Sequence, residues 1–173
     1  MDHAGGQTAV SMVDMEAADP GTWFDPETGL PGPAFWNAVL FAESSRSARF
    51  ERPATVLLVE IAGVRNVIAQ WGFEVISREV VELGGILRAG CRHSDYVVRL
   101  DETRFGVLLV ETDEIGAINV VERLRAKVDR EIGSRLPHGH IAFGWASPKG
   151  KQRLLEVLEP AEQRLRQEAA EGA

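Results

Sequence analysis

Residues 54–61 form an almost uninterrupted apolar run, Ala-Thr-Val-Leu-Leu-Val-Glu-Ile. A strand with one solvated face would alternate apolar and polar side chains, so this run predicts a fully buried strand. Pro53 stands directly before it and ends the preceding segment. Because a buried strand needs other elements to cover it, the run restricts the chain to a layered fold with this strand inside.

Helical and strand patterns alternate along the rest of the chain. Their order, α-β-α-α-β-β-α-β-α, predicts an α+β domain of two layers, in which helices flank a mostly antiparallel central sheet. Residues 101–104 separate two short apolar runs and predict a hairpin turn. The expected helices cover about residues 33–47, 64–71, a segment ending near 89, 115–132 and 151 onward; the other strands are 96–100, 105–110 and 140–145.

The folded part is expected to begin at Trp23. Residues 1–22 are rich in Ala, Gly, Asp and small polar residues without periodicity, and they predict a mobile tail. The domain is therefore expected to span residues 23–170. Inside it, Gly84-Gly85 interrupts a helical pattern at a cost of ~1–2 kcal/mol, which predicts a close packing contact or a frayed turn. Trp36 and Trp71 are expected to be core residues.

Composition excludes several classes of function. The net charge of −7 argues against binding to a nucleic acid polymer or to anionic lipid, which calls for a basic surface. Cys91 is the one cysteine, so neither an internal disulfide nor a multi-cysteine metal site is possible. No apolar run approaches the ~20 residues of a membrane span. A cytoplasmic protein without membrane insertion is the natural expectation.

Three motifs lie in a characteristic order. Asp25-Pro-Glu-Thr-Gly-Leu30 resembles D-x-L-T-G-L, and it precedes the first predicted helix. Residues 60–77 lie where D-x-D-x-F-K-x-x-N-D-x-x-G-H-x-x-G-D is expected, and they keep a basic residue at Arg65 and the glycine at Gly72. Residues 99–105 match R-[YL]-G-G-D-E-F at Arg99 and Phe105. Over residues 23–169 the chain thus resembles the GGDEF domains of bacterial diguanylate cyclases.

The resemblance implies a degenerate domain without catalysis. A cyclase needs carboxylates that hold two Mg²⁺ ions against a triphosphate and activate a 3′-hydroxyl. The family's metal-binding acids fall on Glu60, Ala62, Thr103 and Arg104, its phosphate-facing glycines on Asp101 and Glu102, and its guanine-reading residues on Ile68 and Ser77. We therefore expect neither enzyme activity nor a bound metal or resident cofactor. Asp101 and Glu102 could instead form a shifted metal pair, but exposed acids in a hairpin are usually solvated turn residues.

A second site of the family keeps its residues. Many GGDEF domains carry an inhibitory site, R-x-x-D, which ends four residues before the signature arginine, and this chain has Arg92-His93-Ser94-Asp95 there. The family often adds an arginine on the next helix, which falls on Arg123. An arginine can fork onto guanine O6 and N7 or onto a phosphate, and a carboxylate can accept from guanine N–H groups. The resemblance thus implies a cyclic di-GMP receptor that passes its signal to a protein partner.

A purely structural interpretation of these residues stays open. Asp95 could cap the turn and pair locally with Arg92, while Arg123 lies on a solvated helix face. The chain would then be a protein–protein interaction module on a decayed GGDEF fold, with no nucleotide ligand.

Overall fold

The computed structural model describes residues 23–136 and 139–171, so the predicted tail, residues 1–22, lies outside the described residues. Two short 3₁₀ turns, Gly133–Arg135 and Leu154–Val157, accompany the longer elements. Those elements are α1 (Pro33–Phe50), β1 (Ala54–Ala62), α2 (Arg65–Trp71), α3 (Glu74–Gly90), β2 (Tyr96–Arg99), β3 (Arg104–Val110), α4 (Glu114–Glu131), β4 (His140–Ala146) and α5 (Leu158–Glu171). The predicted order of helices and strands is confirmed.

The strands form one antiparallel sheet in the order β2-β3-β1-β4. All nine residues of β1 are buried, as its apolar run predicts. The register places Glu60 of β1 opposite Arg104 of β3 and opposite Ala142 of β4. The central strand therefore carries its acidic residue towards the end at which the 101–104 hairpin lies.

Helices cover both faces of the sheet. Leu57 and Val59 belong to a core shared with α3 and α4, whereas Val56 and Leu58 belong to a second core shared with α1 and α5. The predicted α+β class, an antiparallel sheet flanked by helices, is confirmed. The predicted two layers are corrected to three, a sheet between two layers of helices. The central strand is apolar on both faces, and each face is buried under a separate pair of helices.

The Gly84-Gly85 pair has the predicted packing contact at one of its two residues. A Cβ at Gly84 would lie 3.1 Å from Leu30 Cδ1 and 3.3 Å from Phe105 Cε1, so the glycine lets α3 approach the N-terminal motif and β3. Trp36 is buried as predicted, but Trp71 is 68% exposed and the prediction was wrong there. Trp71 ends a helix of only two turns, in which Ile68 packs against the core.

Within residues 23–136 and 139–171, no helix is both long enough and apolar enough to span a bilayer.

Candidate functional site

An ion pair joins the end of β1 to the start of β3. Arg104 Nη2 and Nε donate to Glu60 Oε2 at 2.7 and 3.2 Å, and Arg104 Nη1 lies 3.2 Å from Glu162 Oε1 on α5. Glu60 is buried, and Arg104 supplies its nearest counter-charge, while Arg65 Nη2 lies 4.0 Å from Glu60 Oε1. Although burial lowers the pKa of Arg104, the hydrogen bond and charge of Glu60 outweigh it and raise that pKa above its ordinary value.

The hairpin tip is held by its own acidic residue. Asp101 Oδ1 accepts the backbone N–H groups of Thr103 and Arg104, both at 2.9 Å. Thr103 is buried, and its carbonyl accepts the N–H of Ile61 at 3.0 Å. The side chain of Glu102 is exposed at the tip. Asp101 therefore acts as a turn residue in this structure, as the ordinary interpretation of the sequence predicts.

Arg99 connects the hairpin to the N-terminal motif. Its buried guanidinium donates to Asp25 Oδ2 at 2.9 Å, to Glu27 Oε2 at 2.5 Å, and to the carbonyls of Asp101 and Glu102 at 3.1 and 3.0 Å. Asp25 in turn accepts from the backbone N–H and the hydroxyl of Thr28, at 2.7 and 2.5 Å. Two motifs about seventy residues apart in sequence thus share one buried cation.

Asp25 should make the stability of the domain sensitive to acid. Burial raises the pKa of Asp25, but hydrogen bonds from Thr28 and Arg99 outweigh it and hold that pKa below its ordinary value of 3.8. A carboxyl with a lowered folded-state pKa stabilises the protein above its unfolded pKa, and this contribution is lost as the pH falls through the folded pKa. We expect urea unfolding to show a larger loss of stability between pH 6 and pH ~3 for wild type than for Asp25→Asn. Equal losses would exclude this role for Asp25.

The other positions predicted to correspond to metal or guanine ligands are Ala62, Ile68 and Ser77, and each has contacts within the chain. The Ser77 hydroxyl donates to the carboxylate of Glu27, which also binds Arg99. Ala62 is buried in the core under α1 and α5, and Ile68 is half-buried against the other core. Among the described residues, no group of three or more His, Cys, Asp or Glu could hold a metal ion.

At the opposite end of β2, Asp95 organises the turn that follows α3. Asp95 is 4% exposed, and its two carboxylate oxygens accept the backbone N–H of Arg92 at 2.8 Å and of Val110 at 3.1 Å. The Asp95 N–H donates to the carbonyl of Arg92 at 3.1 Å. These bonds close the turn at residues 92–95 and tie it to the last residue of β3.

Three arginines, Arg88, Arg92 and Arg123, lie at this turn. We call residues 88–95 together with Arg123 the arginine loop. Arg88 donates to the carbonyls of Asp95 and Arg92 at 2.9 and 2.7 Å, and Arg123 donates to the carbonyl of Gly90 at 2.9 Å. Arg92 is exposed, and among the described residues its guanidinium makes neither a hydrogen bond nor an ion pair. The structure therefore brings Arg92, Asp95 and Arg123 to one place, together with Arg88, which the sequence analysis did not single out.

The charged residues of the arginine loop affect the pKa of the Cys91 thiol. The pKa of the Cys91 thiol is raised to about 12, mainly by burial and also by the charge of Asp95, while the charges of Arg88 and Arg123 oppose the shift. The thiol stays protonated at neutral pH, so Cys91 behaves as a packing residue of the loop.

Comparisons with known proteins place this arrangement in a family. The family model described as "Diguanylate cyclase, GGDEF domain" matches residues 22–173. The chain belongs to the GGDEF family. One curated relative is the probable diguanylate cyclase DgcC of Escherichia coli K12, 28% identical over 100 residues. That match covers 58% of this chain and 27% of the relative, so the chain spans only part of that protein's length.

Solved GGDEF domains share the fold. The FimX GGDEF domain of Pseudomonas aeruginosa is 21% identical with a TM-score of 0.76, over 87% of this chain and 96% of the other. The GGDEF domain of DgcB from Caulobacter crescentus, solved in complex with c-di-GMP, is 13% identical with a TM-score of 0.76, over 90% and 93% of the two chains. In the present chain, residues 101–104, on which the family signature is predicted to fall, form the hairpin between β2 and β3, and the arginine loop lies at the other end of β2.

Proposed function

We propose that this GGDEF domain is non-catalytic and acts as a cyclic di-GMP receptor, which binds the ligand at the arginine loop and signals to a protein partner. The absence of catalysis rests on one observation above all. The carboxylate that should face the metal, Glu60, is bound to Arg104, which itself occupies an acidic position of the family signature. A guanidinium at this place supplies positive charge where a cyclase would bind cations.

The residues around the hairpin do not fit the two Mg²⁺ ions of a cyclase. Magnesium prefers several oxygen ligands at short, near-octahedral distances. Glu60 Oε2 is already bonded to Arg104, Ala62 offers no side-chain ligand, and the Thr103 side chain is buried. Ser77 and Ile68 replace the residues that read guanine, and Ser77 bonds to Glu27. The acids Asp101 and Glu102 would also repel a triphosphate at close range.

GTP should therefore not be converted. We expect no cyclic di-GMP above background when the purified chain is incubated with GTP and Mg²⁺ or Mn²⁺, while an active GGDEF domain assayed in parallel forms product. Chromatographic separation of the nucleotides measures this directly. Product that forms with the wild-type chain and disappears in Glu60→Ala would contradict the proposal, since it would place Glu60 in a working active site.

The arginine loop supports the receptor half of the proposal. Arg92 is exposed, and its guanidinium makes no hydrogen bond or ion pair among the described residues. Arg123 donates one hydrogen bond, to the carbonyl of Gly90, so its other N–H groups remain available to a ligand. Arg88 holds the carbonyls of the loop, so the backbone that presents Arg92 is preorganised. Cyclic di-GMP offers two phosphates and two guanine edges, and guanidinium groups can fork onto either.

Asp95, which the family resemblance predicts to accept hydrogen bonds from guanine, takes a positioning role in this proposal instead. Its carboxylate is nearly inaccessible and already accepts two backbone N–H groups, one of them from Arg92 itself. The aspartate thus fixes the direction in which Arg92 leaves the loop. Replacing it should weaken ligand binding through loss of loop geometry, together with a loss of stability.

The interaction module without a nucleotide is the second candidate, and the same contacts favour it in part. Arg88, Asp95 and Arg123 each bind backbone groups of the loop, as residues with a purely structural role would. The two proposals give Arg92 different roles, because only the receptor uses its side chain to bind the nucleotide. That side chain has no structural partner among the described residues. Binding of cyclic di-GMP that depends on Arg92 separates them.

A further inference from the structure

An apolar groove lies between the N-terminal motif and the hairpin tip, away from the arginine loop. We call it the Phe24 groove. It has a volume of about 530 Å³. Its apolar wall consists of Phe24, Pro26, Pro33, Phe73 and Leu100. Phe24 is 59% exposed although its backbone is fixed by a β-bridge to Pro31, so an aromatic ring is held in solvent by a well-anchored segment.

The charge of the Phe24 groove is negative. Four carboxylates line it, those of Asp25, Glu27, Asp101 and Glu102, and the one cation in its lining is Arg99. Arg99 is buried and already bound to Asp25 and Glu27. The exposed carboxylate of Glu102 forms no ion pair among the described residues, so it is available to an incoming cation.

We propose that the Phe24 groove is a docking site for a basic segment of another protein, in which an arginine or lysine lies over Phe24 and pairs with Glu102. Cations stack favourably on aromatic faces, and arginine does so with its planar group. Charge complementarity selects this occupant, since nucleotides and acidic segments would be repelled. Residues 1–22, which adjoin Trp23, carry four acidic residues and no Lys or Arg, so the chain's own N-terminal segment does not suit the groove.

This inference goes beyond the proposed function and does not depend on it. The Phe24 groove lies at the hairpin end of β2, whereas the arginine loop lies at the other end. A domain that reads a small anion at one end and a basic protein segment at the other could connect ligand to partner, but each site can be tested alone.

A labelled hexa-arginine peptide and its uncharged hexa-citrulline analogue test the proposal by fluorescence anisotropy. Phe24→Ala and Glu102→Lys change the groove, and Phe41→Ala and Glu122→Lys are matched controls. Phe41 is also 59% exposed but lies on α1, and Glu122 is exposed on α4. We expect saturable binding of hexa-arginine by wild type, weakened about threefold to tenfold by each groove variant and changed less than about twofold by each control.

Three outcomes would overturn the proposal. Absence of saturable binding to wild type would show that the groove does not hold a basic segment. Equal binding of hexa-citrulline would exclude charge recognition. Equal weakening by Glu102→Lys and Glu122→Lys, with no effect of Phe24→Ala, would indicate unspecific attraction to an acidic protein.

Discussion

Replacement of Arg99 by alanine should lower the free energy of unfolding by about 2–3 kcal/mol, because it removes the charge-assisted hydrogen bonds of a buried guanidinium. Arg99 is 8% exposed and binds two carboxylates and two backbone carbonyls. In the variant, Asp25 and Glu27 lose their shared cation. The backbone carbonyls at the hairpin tip also lose the hydrogen bonds from Arg99. Urea unfolding at pH 7, with wild type and variant compared at equal m-values, measures the change.

Arg153→Ala is the control for this measurement. Arg153 also pairs with a carboxylate, that of Glu156, but both side chains are largely exposed. Such pairs contribute about 0–1 kcal/mol, so the control should stay close to wild type. A loss below about 1 kcal/mol for Arg99→Ala would show that the shared cation does not hold the two motifs together.

Replacement of Arg92 by alanine should raise the dissociation constant for cyclic di-GMP about tenfold to a hundredfold. Hydrogen bonds to charged groups are worth roughly 1.5–3 kcal/mol, and a forked arginine contact would be lost. Because the Arg92 side chain has no partner among the described residues, its removal should leave stability unchanged, and the loss can be assigned to the ligand. Calorimetry gives the affinity, and thermal unfolding checks the fold.

Arg130→Ala provides a matched control on the helix that carries Arg123. Arg130 is exposed and lies two turns farther along α4, away from the arginine loop. Its replacement should leave the affinity within about twofold of wild type, since only a weak, screened charge effect remains. If the Arg92→Ala and Arg130→Ala variants bind cyclic di-GMP with equal affinity, the arginine loop is not the ligand site.

The sequence predicts the fold well where local patterns determine it. The apolar run of β1 identifies the central strand, and the helical spacings place the other elements in the correct order. Three of the motif positions that match the family have structural contacts. Asp25 and Arg99 form an ion pair, and Phe105 packs near Gly84. These matching residues carried the resemblance to the family in the sequence.

Long-range contacts limit what the sequence can predict about the site. The partnership of Glu60 with Arg104 depends on strand register, and the bond of Ser77 to Glu27 joins residues fifty positions apart. Arg88 was missed because its contacts go to backbone carbonyls, which no side-chain motif encodes. The exposure of Trp71 also follows from tertiary packing, since helical spacing alone cannot say which face of a short helix meets the core.

Calorimetric titration of the purified chain with cyclic di-GMP tests the central proposal most directly. We expect saturable heat with a dissociation constant in the micromolar range, as about three charge-assisted contacts can support. The affinity should fall as salt is raised, because the contacts involve phosphates and exposed arginines. The absence of saturable heat at ligand concentrations of roughly tens of micromolar would contradict the receptor and leave the interaction module as the function of the domain.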